Sequence, residues 1–248
     1  MLAPGGRMGH ERLMPSSRIR LASYNIRKAI GTDRRRRPER ILAVLAEMDA
    51  DIIALQEADR RFGRRISAIP PLLLDRRSDY QVTPLNVQVD SIGWQGNAIL
   101  VRKSAQIRLA DIVHLPCLEP RGAVVTEVEF ADGAALRLYG MHLDLSGLWR
   151  RKQAAALLKR YARAPRMATM MAGDLNEWRP EQGCLTDFAK FFDIAPCGKS
   201  FPSRRPVGRL DRIMLNDRIE LLDCGVHDTP MARRASDHLP IWVDIRVK

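Results

Sequence analysis

Short apolar runs recur along the chain, separated by turn residues, and their lengths predict buried strands and packed helices. Ile19–Ile26 (IRLASYNI) is β-branched and apolar and predicts a buried strand that breaks at Arg27–Lys28. Pro38 is placed to start a helix, where its missing N–H costs nothing, and Ile41, Leu42, Leu45 and Met48 give that helix one apolar face. Asp51–Leu55 predicts a second buried strand that delivers Gln56 and Glu57 at its end. A strand–helix–strand opening of this kind argues for a layered α/β domain.

The middle of the chain is richer in strand signals: Asn97–Val101, Ile107–Ile112, Val124–Phe130 and Leu136–Met141, with Asp132–Gly133 among the turns. Trp149–Tyr161 predicts a basic, alanine-rich helix, and Met167–Ala172 a strand leading into Gly173–Asp174–Leu175–Asn176. Leu185–Phe192 suits a short helix, and Leu210–Leu215, Leu221–Val226 and Ile241–Val247 close the chain as strands. With no internal repeat, coiled coil or linker, residues 18–248 read as a single domain. Residues 1–17 read as a loose leader, in which Met8 or Met14 offers an alternative start.

Composition adds bounds. At 248 residues the chain has room for a substantial core. No apolar stretch approaches a transmembrane segment and no secretory signal opens the chain, so a cytoplasmic protein is expected, a monomer by default. Cys117, Cys184, Cys197 and Cys224 make no zinc spacing and are expected as reduced thiols. The net charge of +12 invites a polyanionic partner, although 34 arginines against 7 lysines also suit coding bias. Residues 1–40 hold 11 basic and 3 acidic residues, so +8 of the charge lies there, including Arg34–Arg37. Such a patch suits DNA, RNA, anionic lipid at an inner membrane face, or plain solvent.

Four separated strings, SYNI, ALQE, GDLN and SDHLP, sit at the ends of apolar runs or just past them and supply carboxylates, amides and an imidazole. A phosphodiester repels nucleophiles, so its hydrolysis needs a cation on the phosphoryl oxygens, an oriented water and a stabilised leaving oxyanion. A hard ion such as Mg²⁺ or Mn²⁺ wants oxygen ligands. Glu57 and Asn25 at adjacent strand ends meet that demand, and Asp237 adds a second carboxylate. Asp174 and Asn176, two apart at a strand end, are expected to project to the same side and handle water. His142 and His238 are the imidazole candidates, with Asp211 the expected partner of His238. Arg121, before Gly122, offers a fixed cation for phosphate.

Each string has a plain alternative. An acid at a strand end is common, GDLN suits a turn, and SDHLP suits an N-cap or ST-turn before the last strand. His142 alone suits a hydrogen-bonded structural histidine, and Asp144 suits a solvated or capping role. Asn97, after Gly96, suits a turn that borders the site as a second phosphate contact. Their joint occurrence lifts the set.

The order of SYNI, ALQE, EPRG, MHLD, GDLN, RLDRIM and SDHLP resembles the endonuclease/exonuclease/phosphatase superfamily over about residues 18–248. That superfamily includes deoxyribonuclease I, exonuclease III-type repair enzymes, inositol polyphosphate phosphatases and neutral sphingomyelinases. The resemblance implies a four-layer α/β sandwich, two packed mixed β-sheets flanked by helices, and divalent-metal phosphoester hydrolysis. It implies Glu57 as principal metal ligand with Asn25 and Asp237 close by. It further implies Asp174 activating water beside Asn176, His238 on the scissile phosphate with Asp211 behind it, and His142 as the second histidine of the deoxyribonuclease I and phosphatase branches. Arg121 resembles a phosphate-contacting arginine. GNAIL, Arg150, Gln153 and FPS before RLDRI are most similar to small bacterial stand-alone members. Arg212 in place of a common aromatic argues against abasic-site cleavage. Nucleic acid is the favoured substrate, with phospholipid headgroups or small phosphate esters second and a non-catalytic binding module third.

Overall fold

Alternate residues of strand β1 (Ile19–Asn25) enter two different cores. Ile19 and Leu21 face one, and Ala22 and Tyr24 the other. A strand buried on both faces reads as a continuous apolar run, which is why its pattern was legible. The computed structural model describes residues 18–60, 64–87 and 89–248. The leader expected over 1–17, with Met8 and Met14, lies outside the described residues.

After β1 come α1 (Pro38–Met48), β2 (Ile52–Gln56), α2 (Pro71–Arg77), β3 (Tyr80–Val82), β4 (Ala98–Arg102), β5 (Gln106–His114), β6 (Gly122–Glu129) and β7 (Ala135–His142). Then follow α3 (Gly147–Arg163), β8 (Thr169–Asp174), α4 (Cys184–Phe188), β9 (Asp193–Ile194), β10 (Asp211–Leu215), β11 (Ile219–Val226), α5 (Pro230–Ala235) and β12 (Ile241–Val247). They form two six-stranded sheets, in the orders β11-β12-β1-β2-β4-β3 and β5-β6-β7-β8-β10-β9. The β1–β2 and β7–β8 pairs are parallel and the others antiparallel, so both sheets are mixed.

Three cores make four layers. Leu21, Ile52 and Ile99 of the first sheet meet Leu138, Met170 and Ile213 of the second. Ala22, Ile53 and Leu100 pack outward on Ile41 and Leu45 of α1 and Ala232 of α5. Tyr139, Met171 and Met214 pack outward on Leu157 of α3 and Phe188 of α4. Each fully buried Leu or Ile contributes roughly 1.5–3 kcal/mol. This is the deoxyribonuclease I-like sandwich that the sequence led us to expect. Among the described residues no helix is long and apolar enough to cross a membrane.

The differences are instructive. Helices α2 and α5 and strands β3 and β9 were not predicted. They are two to seven residues long, too short for a period to register. The helix expected at Leu185–Phe192 stops at Phe188. The strand expected at Met167–Ala172 is shifted to Thr169–Asp174, because the ladder continues through Gly173 and Asp174. Gly173 is required there: a Cβ would lie 1.8 Å from the Met141 carbonyl oxygen. SDHLP follows no strand. It links α5 to β12, and since β12 runs antiparallel to β1 (Ser23 opposite Ile241), it still arrives beside the end of β1.

Candidate active site

One row of the second sheet carries three of the candidate residues. His142 is the register partner of Asp174 across the parallel β7–β8 pair, and Asp211 faces Asp174 across the antiparallel β8–β10 pair. Stepping by twos along each strand reaches residues of the inter-sheet core, so all three side chains point into the mouth between the sheets. Asn25 has the same parity in the first sheet. Its Nδ2 donates to Asp174 Oδ2 at 3.0 Å, while its Oδ1 accepts the Arg27 N–H at 3.1 Å. The site therefore straddles the shared end of the two sheets.

Asn176 is not placed by the strand period that predicted it. β8 ends at Asp174, and Asn176 takes φ 50° in an Asx-turn, its N–H donating to Asp174 Oδ1 at 2.9 Å. Its side-chain Nδ2 donates to the Leu143 carbonyl at 2.9 Å, holding the loops after β7 and β8 together. Asn97 is likewise committed to the backbone. It is wholly buried, and its Nδ2 donates to the Gly122 carbonyl at 2.9 Å and the Gln95 carbonyl at 3.4 Å. With its amide protons on carbonyls, Asn97 acts as a strap between β4 and β6 and offers no donor to phosphate.

The two histidines flank Asp174 Oδ2, His142 Nε2 at 3.4 Å and His238 Nε2 at 3.8 Å. Arg121 Nη1 lies 2.8 Å from His142 Nδ1. A guanidinium can only donate, so Nδ1 accepts and the proton of this imidazole sits on Nε2. Burial, reinforced by the charges of Arg121, His238 and Lys28, pushes His142 down to about 3, against the pull of Asp174. His238 moves the other way. Burial opposes its charged form, but Asp211, Asp174 and Asp237 outweigh burial and raise it to about 10. Asp211 Oδ2 accepts from His238 Nδ1 at 2.9 Å and also from the Ser200 hydroxyl. His238 N–H donates to Ser236 Oγ at 3.3 Å, the ST-turn that SDHLP allowed, while Ser236 Oγ donates to the Asn25 carbonyl at 2.7 Å.

Two groupings could hold a cation. Donor atoms of Asp174, Asp211 and His238 all lie within 4.8 Å of one another. In that grouping His238 Nδ1 is already committed to Asp211 Oδ2 at 2.9 Å. Glu57 and Asp237 are the second grouping. Both are part-exposed at the mouth, and both already hold a cation of the chain: Lys28 Nζ on Glu57, and Arg27 Nε 3.2 Å from Asp237. Glu57 is turned there by φ 52° just past β2. Carboxylates with an amide oxygen, and no thiolate, make a hard donor set suited to Mg²⁺ or Mn²⁺. These residues fit a divalent ion.

Sequence reasoning missed Lys28, Ser200 and Glu177, the buried partner of Arg150 just after GDLN (Nη2–Oε2 2.9 Å). Lys28 was visible only as a strand breaker. Trp178 was also missed, and Phe201, quoted only within FPS, was given no site role: its ring lies 4.7 Å from that of His238, tilted at 45°, and Trp178 edges Phe201 at 5.9 Å. Asp144 closes an Asx-turn ahead of α3, its Oδ1 accepting the Ser146 N–H at 2.9 Å, and makes no helix cap. A larger cavity of about 540 Å³ between Tyr161, Phe192 and Leu215 contains none of this chemistry.

Residues 22–238 match the model of the endonuclease/exonuclease/phosphatase family. The chain belongs to that family. No curated protein matches it. Solved structures that it resembles include an endonuclease/exonuclease/phosphatase family protein from Bacteroides thetaiotaomicron, 18% identical, covering 95% of this chain and 100% of that one at TM-score 0.75. Another is D. rerio TDP2 complexed with single strand DNA product, 20% identical over 92% of this chain and 99% of that one, TM-score 0.68. A third is a mannosyl-6-phosphatase of Bacteroides thetaiotaomicron VPI-5482, 19% identical over 92% and 99%, TM-score 0.70. At these identities the likeness establishes the fold alone. Members of the family are phosphoester hydrolases, and the arrangement around Asp174 lies within the matched span.

Proposed function

We propose that this chain is a divalent-metal-dependent phosphodiesterase, with nucleic acid favoured as substrate. One observation carries the reading: two histidines flank one buried carboxylate, His142 Nε2 3.4 Å and His238 Nε2 3.8 Å from Asp174 Oδ2, with burial and Arg121 pressing the first toward neutrality and Asp211 drawing the second toward charge. Neighbouring titratable groups pushed apart in this way mark acid and base assignments. His238, an imidazolium at neutral pH, presents Nε2–H to a phosphoryl or leaving oxygen. His142, neutral with its proton on Nε2, donates without adding charge. Asp174, held by Asn25 and the Asn176 N–H, orients water and accepts its proton. Glu57, Asp237 and the Asn25 amide oxygen would hold the Mg²⁺ or Mn²⁺, which supplies charge neutralisation on the phosphoryl oxygens.

The lean toward nucleic acid rests on the exposed Arg34–Arg37 loop, which follows the strand that carries Asn25. It is tied down by the Ile30–Arg36 bridge and by Thr32 N–H on the Arg234 carbonyl at 3.1 Å. That TDP2 has been captured with a single strand DNA product makes such a ligand compatible with this fold. The test is metal-supplemented turnover on plasmid, single-stranded oligonucleotide, RNA and bis-p-nitrophenyl phosphate. Nucleic-acid binding should weaken with salt, and replacing Arg34–Arg37 by Ser should reduce the logarithmic slope by roughly 0.9 for each duplex phosphate no longer neutralised. Unchanged slope and turnover would sink the substrate assignment.

A second reading, a phosphodiesterase acting on anionic lipid headgroups, is favoured by Leu118, Leu145 and Leu148. All three are about two-thirds exposed, on the loops before β6 and after β7 and in the first turn of α3. Exposed apolar residues beside basic ones suit an interfacial surface. Co-sedimentation with anionic vesicles, compared with duplex binding, separates the two. Loss of turnover in Asp174→Asn tells either reading from a non-catalytic binding module.

A further inference from the structure

The turn after β1 is built against its own conformational preference. Arg27, Lys28 and Ala29 have φ of 45°, 56° and 58°, three consecutive left-handed residues without a glycine. Left-handed backbone is costly for L side chains and persists only where surrounding bonds fix it. Here the bonds are Arg27 N–H to Asn25 Oδ1 at 3.1 Å, Lys28 N–H to the Glu57 carbonyl at 3.0 Å, and Ile26 N–H to the Gln56 carbonyl at 3.0 Å. All three anchors are candidate site residues or their immediate neighbours.

That strained turn aims two cations at two carboxylates. Arg27 reaches Asp237, and Lys28 reaches Glu57, with both side chains of the Lys28–Glu57 pair about a quarter exposed. A part-exposed ion pair adds little stability, so three left-handed residues are poorly explained as scaffolding. Lys28 also shares a cleft with Glu57, Arg121 and His142, where a substrate phosphoryl group held by His142 would lie. Strongly hydrated, flexible and carrying a point charge, a lysine ammonium can move between carboxylate and phosphate partners.

We propose that Lys28 is a metal-exchanged positioning residue: its ammonium holds the Glu57 carboxylate until a divalent cation takes that carboxylate, and it then turns onto the phosphoryl oxygens in the same cleft. The inference rests on the reading of Glu57 as a metal ligand. It makes metal binding and phosphate binding share one side chain, so that losing Lys28 strengthens the first and weakens the second.

The experiment titrates Mn²⁺ into the metal-stripped full chain by calorimetry, then inorganic phosphate into the Mn²⁺-loaded protein. Lys28→Gly removes the ammonium while suiting the left-handed φ, and Lys28→Arg keeps the charge. Thermal unfolding checks that each variant folds. The expected result is Mn²⁺ bound about tenfold tighter by Lys28→Gly than by wild type or Lys28→Arg, and phosphate bound about tenfold more weakly. Equal Mn²⁺ affinity in wild type and Lys28→Gly, with Glu57→Gln weakened, would overturn the role of Lys28 and leave the metal site standing. Tighter Mn²⁺ with unchanged phosphate affinity would overturn the transfer onto phosphate. Absence of Mn²⁺ binding in every protein would overturn both the inference and the metal site it rests on.

Discussion

The side-chain amide of Asn25, at the end of one sheet, donates to the carboxylate of Asp174, at the end of the other, with 3.0 Å between Nδ2 and Oδ2. This bond joins the two halves of the sandwich at the point where the chemistry is assembled. It fixes one oxygen of Asp174, while the Asn176 N–H fixes the other.

Replacing Asn25 by Ala removes a donor from a buried carboxylate, at a cost of about 1–3 kcal/mol. Urea unfolding should show that loss. Turnover of bis-p-nitrophenyl phosphate should fall about 10²-fold, as a misplaced catalytic group commonly produces. Wild-type turnover in this variant would mean that Asp174 is not the group that orients water.

His142 makes a stability prediction with a definite sign. Its value drops from the ordinary 6.5 to about 3 in the fold, so between those limits the unfolded chain binds more protons than the folded one. Its contribution is complete above pH 6.5 and is lost as the pH falls toward 3, with a slope of at most about 1.4 kcal/mol per pH unit. Urea midpoints of wild type should fall more steeply between pH 6.5 and 4 than those of His142→Gln. Parallel slopes would show that His142 is not held neutral.

His238 responds in the opposite sense. Asp211→Asn removes the nearest charge that keeps it protonated, so its value moves down from about 10. Activity at pH 8 should fall about 10²-fold, and the basic limb of the pH–rate profile should shift to lower pH. An unmoved basic limb would assign that limb to another group.

Gly173→Ala tests the junction of β7 and β8. A Cβ there would lie 1.8 Å from the Met141 carbonyl oxygen, and backbone cannot yield as a flexible side chain can. Destabilisation of about 3 kcal/mol or more is expected in urea unfolding, or failure to fold. A variant with wild-type stability would mean that β7 and β8 do not approach so closely.

Much of this was legible because several core strands are buried on both faces and the long helices show one apolar face. IRLASYNI and DIIAL could hardly be anything but strands, and the Pro38 helix starts where its proline requires. Short elements such as β9 and α5 stayed hidden, since a few residues carry no period. The candidate side chains were legible as types: carboxylate, amide, imidazole. Their partners were less so. Asp211 was foreseen beside His238, whereas Ser200 on Asp211 and Lys28 on Glu57 had no local signal.

The sequence by itself determined the four-layer class, the family, and which residues could do phosphoester chemistry. Register decided the rest. It set His142, Asp174 and Asp211 in one row and laid Asn25 across from them, so that Asn25 and Asp174, 149 positions apart, are in direct contact. His142 and His238 are the same residue type, yet one is pressed toward neutrality beside Arg121 and the other toward charge beside Asp211. Desolvation and Coulomb forces act through space, so only the folded chain could tell those two histidines apart.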